Sequence, residues 1–186
     1  LPLANDAGLM PDLTRWVLDA ALERVAAWAL EGRNLSVAVN LPPSMVVSAE
    51  LPDLVTQLLA RHRVPASRLV LEITEESLLG DRDRARGILA RLRLAGLRIS
   101  IDDYGSGYSS LGYLRDLPVD ELKLDRSFIL PMADDARAAS IVRSTVQLAH
   151  SLGLSIVAEG VEDSTAATEL TRYGCDQAQG YHYARA

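Results

Sequence analysis

The chain has 186 residues, a formal net charge of −6 and 48 % hydrophobic residues, a composition that suits one soluble globular domain with a sizeable core. The acidic balance excludes a general nucleic-acid-binding surface, which needs basic side chains. A single cysteine, Cys175, excludes an internal disulfide and fits a reducing compartment. No apolar run reaches the length of a membrane span, and no signal peptide is evident.

Helix-like and strand-like segments alternate with short connections. The first residues, LPLANDAGLM, read as a loop entering a helix, and the missing initiator Met suggests a piece of a longer chain. A helix is expected from Asp12 to Glu31, with Leu13, Trp16, Val17 and Ala20 at helical spacing. LSVAVN (35–40) reads as a strand, 50–62 as a helix and RLVLEIT (68–74) as a strand. The stretch 81–96 is amphipathic, with an Asp start and a Gly stop. RISID (98–102) is the next strand, a short helix covers 109–116, and ELKLD (121–125) is again a strand. A helix over 136–153 carries Ile141, Val142, Val146, Ala149 and Leu152 on one face. LSIVAEG (154–160) is a strand, 164–174 a helix and DQAQGY (176–181) a last strand.

This rhythm argues for an α/β fold with a parallel sheet built from right-handed βαβ units. The strands are nearly continuous apolar runs, as expected when both faces are covered. An open doubly wound sheet and a (β/α) barrel both fit six strands. Each strand, however, carries a polar group at or near its C-terminal end: Asn40, Glu72, Asp102 with Asp103, Lys123, Glu159 and Gln179. In a barrel those ends converge on one rim, where barrel enzymes keep their active sites. In an open sheet only two or three could meet. The count favours the barrel.

Asn40, Glu72, Asp102, Asp103 and Glu159, with no His or Cys among them, form a hard-ligand set suited to Mg²⁺ or Mn²⁺ rather than Zn²⁺. Four carboxylates would overload one ion. Two would balance them, with Asp102 shared, in an arrangement suited to attack on a phosphate ester. Lys123 adds a positive group that could orient the attacking water or hold a phosphate oxygen. Each residue also has a plainer reading. Glu72 or Glu159 could cap a helix or pair with an Arg, and Lys123 alone reads as a solvated or salt-bridged lysine. One aspartate of the pair could be an N-cap. GSG (105–107) is by default a tight turn, Ser109 and Ser110 helix caps, and Cys175 a buried small hydrophobe. His62, His150 and His182 are scattered and receive no ligand role.

NLPPSM, LEITEESLL, IDDYGSGYSSLGYLRDLPVDELKLDRSFI, VAEGVED and GCDQAQGY together resemble the EAL domain, a family of bacterial cyclic di-GMP phosphodiesterases, over about residues 1–183. The resemblance implies a TIM-like (β/α) barrel with one atypical antiparallel strand. It also implies hydrolysis of cyclic di-GMP to linear pGpG with two Mg²⁺ or Mn²⁺ ions, Ca²⁺ inhibiting. By motif, Asn40, Glu72 and Asp102 would bind metal and Asp103 would serve the second ion. Lys123 would contact the attacking water, and Glu159 would be the general base or water-positioning group. Glu162 and Gln179 would support the metal and water network. Glu75 would brace the loop 103–110, a place of homodimer contact in the family.

Residues 1–186 are then expected to be one EAL-type domain, incomplete at both ends. It would have six of eight strands, with the Glu-Ala-Leu strand upstream of residue 1 and the C-terminal helix absent. Tyr104, Ser106 and Pro42 stand where Phe, Thr and Ser are usual. Sensor or diguanylate-cyclase domains are expected elsewhere in a cytoplasmic or membrane-anchored parent protein, with no membrane or nucleic-acid polymer contact by this domain. The alternative class is a non-catalytic EAL-type module that binds cyclic di-GMP or partners; a Schiff-base aldolase using Lys123 fits worse, since it leaves four carboxylates without a role.

Overall fold

The computed structural model describes residues 7–78, 80–105 and 111–184. These form an α/β protein whose helices and parallel strands alternate along the chain. The chain divides into two compact units, Leu1–Ile99 with Leu117–Val119, and Ser100–Asp116 with Asp120–Ala186.

The first unit opens with helix α1, Met10–Leu30, then β1, Val37–Asn40, the single turn α2, Pro43–Val46, and α3, Leu51–His62. Strand β2, Leu69–Thr74, leads through a 3₁₀ turn, Glu75–Leu78, to α4, Arg82–Leu94. Proline stands in the first turn of α1, α2 and α3, where its missing N–H costs nothing and its fixed φ favours the helix. α4 starts where the Asp81 side chain accepts the Arg84 N–H at 3.2 Å, an N-cap.

β1 and β2 pair in parallel, Val37 with Leu69 through to Asn40 with Glu72. Every residue of β2 from Leu69 to Ile73 is buried, as a strand covered on both faces should be. β1 differs from that expectation, since Ala38 and Asn40 are exposed. An apolar cavity of about 700 Å³ runs along it, lined by Leu13, Val17, Ala21 and Val39 among others. α1 shows the same difference. Its buried line is Thr14, Leu18, Leu22 and Val25, one step off the expected Leu13, Trp16, Val17 and Ala20. Leu13 and Val17 form a second apolar stripe on that cavity, and Trp16 is 67 % exposed. The buried Thr14 hydroxyl donates to the Met10 carbonyl at 2.8 Å, which satisfies it inside the core.

α1 and α3 are also tied by polar groups. The Asp19 carboxylate accepts from His62 Nε2 at 2.7 Å and pairs with Arg61 at 3.2 Å. The His62 hydrogen bond, aided by the positive charge of Arg61 and opposed by partial burial, holds Asp19 below its ordinary value of 3.8. A carboxyl depressed on folding stabilises the protein fully above the unfolded value, and the stabilisation drains as pH falls through the folded one. The stability difference between wild type and Asp19→Asn should therefore shrink on acidification from about pH 5 to about pH 2, followed by urea denaturation. A constant difference would contradict the assignment.

In the second unit β3, Arg98–Tyr104, enters from Ser100 onward and is followed by α5, Leu111–Asp116, and β4, Glu121–Leu124. Then come α6, Arg126–Ile129, a 3₁₀ turn, Leu130–Ala133, and α7, Ala136–Ser151. β5, Ser155–Ala158, α8, Ser164–Tyr173, and the two-residue β6, Gln177–Ala178, complete it. β3, β4, β5 and β6 pair in parallel in that order. Asp125, Asp135 and Asp163 each cap the helix that follows. Ala138, Val142, Val146 and Ala149 form the buried face of α7. Ile141, expected on that face, is 48 % exposed.

β3 runs on to Tyr104 rather than stopping at Asp102, and β6 is shorter than the expected 176–181. No described helix is long and apolar enough to cross a membrane.

Candidate functional site

Asp102 and Asp103 are adjacent on a strand, and strand alternation would send their side chains to opposite faces. They do not obey it. Ile101 pairs with Leu122 and Tyr104 with Leu124, so β3 spends one more residue than β4 between those pairs. The extra residue is a β-bulge, the usual device for re-aiming a side chain at a strand end. Asp103 absorbs it with φ +54°, a left-handed conformation that Asp tolerates better than most residues. Oxygens of Asp102, Asp103 and Glu159 lie within 4.8 Å of one another as a result.

β4 delivers Lys123 into this group. Its Nζ donates to Asp102 Oδ1 at 2.8 Å and to Glu159 Oε1 at 2.8 Å, and the residue is only 8 % exposed. Glu159 lies one residue beyond β5 and is held there because its N–H donates to the Leu124 carbonyl at 3.1 Å. Gln179, just past β6, is placed in the same way by its N–H to the Ala158 carbonyl at 2.8 Å. Its side-chain Nε2 donates to Glu159 Oε1. The polar chain Asp102–Lys123–Glu159–Gln179 therefore links the ends of four strands, β3 to β6.

Glycine closes the frame at Gly180, where φ is +154° and a Cβ would fall on the backbone carbonyl and amide of Val161. Only Gly allows that approach. It lets Val161 donate to the Gln179 carbonyl at 3.0 Å and accept from the His182 N–H at 2.9 Å.

Burial acts first to raise the Glu159 carboxyl, with Asp102 and Asp103 adding to the rise and Lys123 opposing it. Burial also leads in raising Asp103, followed by the charges of Asp102 and Asp125. In both groups burial is the main cause, and the neighbouring carboxylates add to it. Hard oxygen donors crowded in this way could hold a divalent cation.

The other expected site residues are placed separately. Asn40, the last residue of β1, and Glu72, two residues before the end of β2, are register partners in the first unit, so their side chains share one face. Glu72 is 8 % exposed and Glu75, in the turn after β2, is 6 % exposed. Residues 106–110, which include most of the loop Glu75 was expected to brace, the second half of GSG, and Ser109 and Ser110, lie outside the described residues. Glu162 is exposed and is not part of the Asp102–Asp103–Glu159 cluster. Cys175 is half-buried, and burial pushes its thiol up. His62 and His150 pair with Asp19 and Asp176.

Sequence reasoning missed Asp125 and Arg126. Both line a cavity of about 410 Å³ with Asp103, Glu159 and Gln179. Asp125 was read as the end of a strand, yet it caps α6 by accepting the Ser127 N–H at 3.0 Å. The Asp-x-Ser spacing was the available signal for a helix start.

The EAL domain family model matches residues 1–186. The bifunctional diguanylate cyclase/cyclic di-GMP phosphodiesterase MucR of Pseudomonas aeruginosa is 44 % identical over 97 % of this chain and 27 % of its own length. A structure of its phosphodiesterase in complex with cyclic di-GMP superposes with a TM-score of 0.92, covering 99 % of this chain and 75 % of that one. The EAL domain of Mycobacterium smegmatis DcpA superposes with a TM-score of 0.89 at 37 % identity, over 95 % of this chain and 80 % of its own. This chain spans about a quarter of the length of the curated relatives it matches.

Proposed function

Because the chain belongs to the EAL domain family, we propose that it is the catalytic domain of a cyclic di-GMP phosphodiesterase that opens one phosphodiester of the cyclic dinucleotide to give linear pGpG. The observation that carries this reading is the polar line Asp102–Lys123–Glu159–Gln179 with Asp103 beside it. The reading takes residues 1–186 as one domain of that kind.

Asn40, Glu72, Asp102 and Asp103 are assigned to hold two Mg²⁺ or Mn²⁺ ions. Such ions, when bound, supply Lewis acidity toward the phosphoryl oxygens and lower the pKa of water. The crowded oxygens of Asp102, Asp103 and Glu159 support the assignment as a donor set. The chain's own groups do the rest. Lys123, clamped between Asp102 and Glu159, directs an ammonium hydrogen at the attacking water. Glu159 takes the proton that water gives up, as a general base. Gln179 fixes the Glu159 carboxylate by donating to Oε1. Glu162 supports this network from the rim, and the active protein is assigned as a homodimer. Sensor or diguanylate-cyclase domains in the parent protein would set the activity of this one, in the cytoplasm.

Incubation of the intact protein with cyclic di-GMP and Mg²⁺ or Mn²⁺, resolved by chromatography, tests the reading. Linear pGpG as the first product supports it. Tight binding without turnover would replace it with the binding-module alternative.

A further inference from the structure

Acid clusters and phosphodiesters repel each other, so a site built on Asp103, Asp125 and Glu159 needs cationic help at its mouth as well as in its depth. Lys123 cannot give that help. It is 8 % exposed and its ammonium is already shared between Asp102 and Glu159. The cavity lined by Asp103, Asp125, Glu159, Gln179 and Tyr181 holds one cation among its described lining residues, Arg126.

Three features set Arg126 apart from an ordinary surface arginine. It begins α6 directly after the cap Asp125, so the helix start fixes its backbone. Its stem lies against Gly160, where φ is +69° and a Cβ would fall on the Arg126 Cβ. The glycine therefore lets the arginine root sit beside Glu159. Finally, Arg126 is exposed, and among the described residues no carboxylate forms an ion pair with it, although, after the Ser127 hydrogen bond, its positive charge contributes to lowering the pKa of its chain neighbour Asp125. Several other arginines of the described chain are spent on carboxylate partners, as Arg61, Arg91, Arg115 and Arg172 are. A guanidinium offers a planar fork of donors matched to two phosphate oxygens.

We propose that Arg126 is a substrate-binding residue, whose guanidinium takes a phosphate of the cyclic dinucleotide at the cavity mouth. The assignment rests on the phosphodiesterase reading. Arg126 touches substrate in this account but not the reacting water, so it acts on binding more than on the chemical step.

The test is steady-state hydrolysis of cyclic di-GMP by the intact protein, its Arg126→Gln variant and its Arg126→Lys variant, with thermal unfolding of each. The expected result is a KM raised roughly 10- to 100-fold in Arg126→Gln, with kcat within about threefold and an unchanged unfolding temperature. Arg126→Lys should recover part of the KM, because the charge returns without the fork. A wild type that turns over while Arg126→Gln keeps its KM, or loses kcat alone, overturns the Arg126 assignment and leaves the phosphodiesterase reading standing. A wild type with no turnover overturns both.

Discussion

Replacement of Asp102 by asparagine is expected to cut metal-dependent hydrolysis of cyclic di-GMP by at least about a thousandfold, about 4 kcal/mol of transition-state stabilisation, while the protein stays folded. The side chain keeps its volume but loses its charge and one strong acceptor. A divalent ion held by hard oxygens depends on both. Stability should change far less. Lys123 keeps its contact with Glu159 at 2.8 Å, and the asparagine oxygen can still accept from the ammonium. A loss of about 1–3 kcal/mol is the scale for one perturbed buried hydrogen bond to a charged group. The measurements are initial rate with Mg²⁺ and with Mn²⁺, and urea unfolding. Unchanged turnover would remove Asp102 from the metal site.

The second large effect is expected at Lys123, and it has the opposite balance. In Lys123→Met the carboxylates of Asp102 and Glu159 lose the cation that each holds at 2.8 Å. Removing one partner from a largely buried ion cluster leaves uncompensated charge, at a cost of about 3–5 kcal/mol. Glu159, already raised by burial, would be pushed further up without the ammonium. Catalysis should fall by roughly 10²- to 10⁴-fold, the scale for losing a group that positions the transferred proton. A divalent ion can replace part of the missing positive charge. Mg²⁺ or Mn²⁺ should therefore raise the unfolding temperature of Lys123→Met by more than that of the wild type. Equal metal-induced shifts in the two proteins would contradict a shared electrostatic site.

These two residues show how far the sequence could be read. LVLEI and ELKL are apolar enough to announce buried strands, and the structure places them at Leu69–Thr74 and Glu121–Leu124. Polar residues at the strand ends were also visible as a pattern, because a carboxylate closing an apolar run needs a local reason. The way Asp102 and Asp103 share one site was not visible. Their bulge is a register slip against β4, so it depends on a partner about 20 residues away rather than on neighbouring sequence.

Lys123 shows the same limit. A lone lysine reads as solvated or salt-bridged, and only the pairing of β3, β4 and β5 shows which acids it pairs with. α1 misled for a different reason. It has two apolar stripes, and helical spacing alone does not say that Thr14, Leu18 and Leu22 face the core while Leu13 and Val17 face a cavity. Asp125 and Arg126 were hidden because a four-residue helix leaves almost no periodic signal.

The most direct test of the whole account is an anomalous difference map, recorded at the manganese absorption edge, from crystals of the intact protein grown with Mn²⁺ and cyclic di-GMP. The account predicts two peaks, with oxygens of Asp102 within about 2.0–2.4 Å of both and with Asn40, Glu72 and Asp103 among the remaining ligands. Manganese bound elsewhere, or no peak at Asp102 in crystals that contain the dinucleotide, would contradict it.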